Sequence, residues 1–151
     1  MTPRHGSAEL AERLLHAGLP WLTPDARAFL RRLIDRAPAA VTAAEACRWA
    51  GVADRHGLRR FLAHAGLPSF RELTAWVRVF VLVLEWERAG TTLSRAAQAA
   101  GRTPGGYTRA VQRATGLPWL EVRARGSTWV LVHLLALFRP PADPVVQVAT
   151  G

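Results

Sequence analysis

Lysine is absent from this chain. All 20 of its Lys/Arg-type cations are arginine, set against 11 acids, for a formal net charge of +9. Cysteine is almost absent too: Cys47 stands alone, which excludes an intrachain disulfide and fits a reducing compartment. Long apolar runs are missing. The two most apolar segments, Trp76–Trp86 and Thr128–Phe138, each reach about half the length that spans a bilayer, and the first contains Arg78 and Glu85. Both read as buried helices, with no membrane contact. The first 20 residues carry Arg4, Glu9, Glu12 and Arg13 and lack the apolar stretch of a signal peptide, so a cytoplasmic location is expected. The five histidines are scattered, with no partner at metal-ligand spacing. No Gly-rich phosphate loop, Ser/His/Asp set or paired carboxylates stand out. No enzymatic role, metal or cofactor is therefore assigned. Sustained alternation at period two is also lacking, which argues against a sheet.

What the chain does have is apolar bulk, unevenly placed charge and dense helix punctuation. Half of its 151 residues are hydrophobic, enough for the core of one ordinary domain. Residues 90–126 hold six arginines and one acid, more than half of the net excess. Residues 1–41 and 42–69 are each +2, while 70–89 and 127–151 are neutral. A concentrated arginine excess favours a polyanionic partner, because each cation near a phosphate displaces a condensed counterion. An Arg-rich and Ala-rich composition also produces such charge with no ligand at all.

Ser7 is expected to cap a first helix reaching about His16. Thr23-Pro24-Asp25 supplies a cap, a first-turn proline and a first-turn acid. Thr42-x-x-Glu45 and Ser69-x-x-Glu72 have the form of capping boxes, and Thr92 and Thr103 are further caps. Gly51, Gly90, Gly101, Gly116 and Gly126 read as stops. The strongest signal is a repeat at an offset of 50 residues. Thr42, Ala46, Ala50, Gly51, Arg59, Gly66, Leu67 and Pro68 recur as Thr92, Ala96, Ala100, Gly101, Arg109, Gly116, Leu117 and Pro118. Each unit reads as cap, short helix, glycine, turn, second helix and Gly-Leu-Pro, which is the sequence form of a helix-turn-helix.

On these residues the chain resembles AraC/XylS-type DNA-binding domains over about residues 42–125. Tyr107-Thr108-Arg109-Ala110-Val111 followed by Gly116 fits the recognition helix of that family's second unit. Gly57-Leu58-Arg59-Arg60-Phe61 and Gly66 fit the first, and Leu117–Arg123 resembles the family's closing segment. The resemblance implies an all-α fold with tandem helix-turn-helix units. A long buried central helix would join them, with extra N- and C-terminal helices. It implies double-stranded DNA as partner. Arg59 and Arg109 would face the major groove, and Arg55, His56, Arg60, Thr108, Gln112 and Arg113 would contact phosphates or base edges. The chain departs from the family at Gly57 and at Gly105-Gly106, and in its very apolar joining helix. It also has the extra segment Thr128–Phe138 and no large ligand-binding domain.

The expected organisation is an N-terminal helical extension over 1–41, the double unit over 42–126, an apolar helix over 127–139 and a flexible tail over 140–151. Trp49, Phe61, Trp76, Phe80, Trp86 and Trp119 are expected in the core, with Cys47 a buried thiol. The leading function is sequence-specific transcription regulation. The alternative is a helical protein-interaction module derived from a helix-turn-helix that no longer binds DNA. Its apolar helices would suit a homodimer or another protein partner.

Overall fold

A capping oxygen fixes the start of six helices. The computed structural model describes residues 6–141, with α1 at Gly6–Gly18, α2 at Pro24–Arg36, α3 at Ala43–Ala50 and α4 at Arg55–Ala65. Then come α5 at Phe70–Ala89, α6 at Leu93–Ala99, α7 at Pro104–Thr115 and α8 at Trp119–Leu135. Among the described residues there is no strand, so the architecture is all-helical as expected. Thr23, Thr42, Asp54, Ser69, Thr92 and Thr103 each accept the backbone N–H three residues on, satisfying a donor that the first helical turn leaves open. Glu45 completes a reciprocal box by accepting the Thr42 N–H at 3.3 Å. Its hydrogen bond from Arg36, and then that from Thr42, hold its carboxyl below the ordinary carboxylate value. At α5 the box closes differently, the Ser69 hydroxyl donating to the Glu72 carboxylate at 3.0 Å.

Ser7 is not a cap. It lies inside α1, fully buried, and accepts a 3.0 Å hydrogen bond from Arg88 at the end of α5. A serine at a helix start and a serine bonded to a distant guanidinium look alike in sequence.

Helix α5 organises the packing. Leu73, Val77 and the unbroken run Val79–Leu84 are buried, so apolar side chains leave it in every direction. Its neighbours are α1, α2, α7 and α8. Phe80 is completely enclosed. Trp76 is only half-buried, which corrects its assignment to the core. It stacks on His133 at 5.8 Å and meets Trp129 at 6.2 Å at the edge of α8. Trp49, Phe61 and Trp86 are likewise half-buried against the core, and Trp119 is buried. Cys47 is buried, as expected.

Gly126 interrupts α8 with φ 89° and ψ 172°, and a second helical segment starts behind it. That new start is capped from another helix: Glu87 of α5 accepts from the Ser127 N–H at 2.9 Å and from its hydroxyl. The C-terminal helix ends at Leu135, short of the expected 139. Residues 136–137 turn, Phe138 buries, and the Arg139 N–H donates to the Gly66 carbonyl at 2.8 Å. Most of the expected tail, residues 142–151, lies outside the described residues. No described helix is long and apolar enough to cross a membrane.

Phe80→Ala should cost about 3–5 kcal/mol in urea or thermal unfolding, the range for emptying an enclosed aromatic site. Gly51 and Gly66 both cap helices in the left-handed region, at φ 70° and 79°. Alanine at Gly51 meets open space and should cost only the left-handed strain of about 1–2 kcal/mol. At Gly66 its Cβ would strike the Arg139 carbonyl oxygen, so Gly66→Ala should be clearly more damaging in the same assay. Equal losses at the two sites would contradict the close seating of Arg139 on Gly66.

Candidate nucleic-acid interface

Two helix pairs carry the expected site residues. In each, a short helix leads through a link to a longer helix: α3 and α4 across residues 51–54, α6 and α7 across residues 100–103. The pairs have different supports. Phe29 of α2 meets Trp49 of α3 edge-on at 6.3 Å and Phe61 of α4 at 5.4 Å, so the first pair rests on α2. The second rests on α5 and α8 through α7, with Tyr107 and Val111 buried.

All eight expected contact residues are exposed. Arg55, His56, Arg59 and Arg60 lie on α4; Thr108, Arg109, Gln112 and Arg113 lie on α7. Neither helix contains a carboxylate. Among the described residues none of these arginines forms an ion pair, whereas Arg31, Arg36 and Arg125 do. Other arginines of the basic segment have partners within the chain: Arg125 pairs with Glu121 at 3.0 Å on the surface of α8, and Arg123 lies 3.9 Å over the Trp86 ring. The two groups stay separate, with no described hydrogen bond or ion pair joining α4 to α7.

The glycines that set this chain apart have local causes. Gly57 is buried, and its N–H donates to the Asp54 carboxylate at 2.8 Å. A Cβ there would press on Val52 at 3.0 Å, so the α4 start is packed too closely for a bulky residue. Gly105 leaves room along the first turn of α7, where an added Cβ would lie 3.4 Å from the Arg109 guanidinium. Thr108 is less free than the sequence suggests, because its hydroxyl donates to the Pro104 carbonyl at 3.1 Å and only its lone pairs remain for a partner.

Sequence reasoning missed Arg71, Arg78 and Trp76. They line a groove of about 490 Å³ between α5 and α7, whose far wall includes Ala110, Arg113 and Ala114. Arg78 is partly buried there. Its guanidinium lies 5.8 Å from the Tyr107 ring centre, and its Nε–H is buried with no hydrogen-bond partner. Burial lowers its pKa from the usual arginine value, and the positive Arg102 and Arg113 act in the same direction against the Tyr107 hydroxyl. The only sequence signal was Arg78 itself, a charge inside an otherwise apolar segment. Tyr107, pushed up by burial, donates its hydroxyl to the Pro38 carbonyl at 3.1 Å and so ties α7 to the α2–α3 connection.

No family model, curated protein or solved structure matches this chain. Tyr107→Phe removes the tie to Pro38 while keeping the ring under Arg78. It should cost about 0.5–1.5 kcal/mol, the net worth of one such hydrogen bond, in denaturant unfolding. Unchanged stability would show that the α2–α3 connection and α7 are held together by apolar contact alone.

Proposed function

We propose that the protein is a sequence-specific, double-stranded-DNA-binding transcription regulator of the AraC/XylS type, acting in the cytoplasm. The helix pairs serve as tandem helix-turn-helix units. α4 and α7 enter successive major grooves on one face of the duplex, with centres about 34 Å apart, or closer where the DNA bends. One observation carries this reading: the exposed faces of α4 and α7 bear arginines and no acid, and those arginines are unpaired among the described residues. An exposed cation with no internal partner keeps its full attraction for phosphate and base-edge acceptors. Arg59 and Arg109, at the same place in the repeat, are assigned to base edges. Arg55, His56, Arg60, Thr108, Gln112 and Arg113 are assigned to phosphates or neighbouring bases.

The interaction-module alternative draws its support elsewhere. The exposed large hydrophobics among the described residues are Leu120 and Val132, 65% and 58% exposed, both on α8 and neither on the two helix pairs. They are single side chains, of a kind common on monomer surfaces.

Arg109→Ala separates base reading from phosphate contact. If Arg109 reads a base, the variant loses about 1–3 kcal/mol on the preferred site and little on random duplex. If it touches phosphate only, both duplexes weaken alike and the salt slope falls by about one. We expect the first outcome, measured by anisotropy titration at several salt concentrations after selecting bound genomic fragments. A parent protein with no salt-dependent duplex binding near neutral pH would refute the DNA reading in favour of the module.

A further inference from the structure

We propose that the groove between α5 and α7 is a phosphate site, in which Arg78 grips the anion from below with Arg71 and Arg113 on either wall. This does not depend on the DNA reading, and a free phosphorylated ligand would satisfy it equally. Four observations converge. The groove is roomy, about 490 Å³, and is lined by three guanidinium groups and one carboxylate, that of Glu72. That carboxylate is already engaged by the Ser69 hydroxyl. Arg71, Arg78 and Arg113 have no ion pair among the described residues, so the cationic lining is not neutralised from within. Most telling is the Arg78 Nε–H, which is buried without a partner.

A buried unpaired donor on a charged group is costly, and an anion held by the same guanidinium offsets part of that cost. The required ligand must be anionic and must offer several acceptor oxygens in different directions. A carboxylate can satisfy one guanidinium fork. A phosphate dianion presents more oxygens and can bridge more than one fork, which suits three arginines around a single space. The Tyr107 ring centre lies 5.8 Å from the Arg78 guanidinium, within cation–π range on the α7 side of the groove. The source of the phosphate is either a duplex backbone or a small phosphorylated molecule.

The test uses the ¹⁵N-labelled full chain. Inorganic phosphate is titrated in, with chloride and acetate as controls at equal ionic strength, while the Arg78 Nε–H and Trp76 indole resonances are monitored. Saturable movement with phosphate, and much weaker movement with the controls, is expected. Arg78→Gln and Arg113→Gln should each weaken phosphate binding about tenfold, as loss of a charged hydrogen bond implies. Arg95→Gln, outside the groove, should leave it unchanged. If Arg78→Gln does not fold, the parent titration and Arg113→Gln decide. Non-saturable movement, acetate binding as tight as phosphate, or variants with parental affinity would each overturn the proposal. Random-sequence duplex is then added to the phosphate-loaded protein. Displacement of phosphate with renewed movement at Arg78 assigns the site to a DNA backbone. Phosphate retained beside bound or unbound duplex assigns it to a small phosphorylated ligand.

Discussion

The middle of α5, buried at every residue from Val79 to Leu84, must be covered on its whole circumference, and it imposes that requirement on the rest of the chain. Covering it takes helices from both sides of the repeat: α1 and α2 from before it, α8 from after it, and α7 from within it. The N-terminal helices are therefore structural support for the two helix pairs. α2 also carries the first pair on Phe29, so one element covers the central helix and positions α4. The second pair needs no such intermediary, since α7 packs directly on α5.

Polar ties at the margins then fix how the cover sits. Arg88 reaches Ser7 of α1, Glu87 caps the restarted half of α8, and Tyr107 bonds the carbonyl of Pro38. Each joins residues far apart in sequence through a directional contact, where apolar packing alone would tolerate sliding. They also use up charge. Glu87 is committed to α8, Glu72 to Ser69 and Glu121 to Arg125. The arginines of α4 and α7 are left without carboxylate neighbours on their own helices.

The helix boundaries were legible because they depend on local chemistry. A capping oxygen and a left-handed glycine act within four residues, and Thr42, Thr103, Gly51 and Gly116 behave as a short window of sequence implies. The repeat was legible for the same reason, its strongest matches being at helix ends. Features set by distant partners were not. Ser7 has the look of a cap and is a buried acceptor for Arg88, and Gly66 is required by a carbonyl more than seventy residues later. Trp76 keeps to the apolar period of α5 but falls at its edge, beside a groove whose other wall is α7.

Net charge misled for a related reason. Residues 70–89 sum to zero, so the segment seemed electrostatically inert beside the basic 90–126. Summation along the chain ignores direction. On a helix, residues 71, 75 and 78 share one side, and this is the side that meets α7. Glu87, several turns on, points to α8 and contributes nothing there. The groove thus combines cations from a neutral segment with Arg113 from a basic one, and its field exceeds what the neutral segment suggests. Desolvation sharpens the effect, since a partly buried guanidinium has lost water that an exposed one keeps and attracts an incoming anion more strongly at the same separation. Arg78, counted as cancelled in the sequence, is a partly buried cation with an unpaired donor in the folded chain.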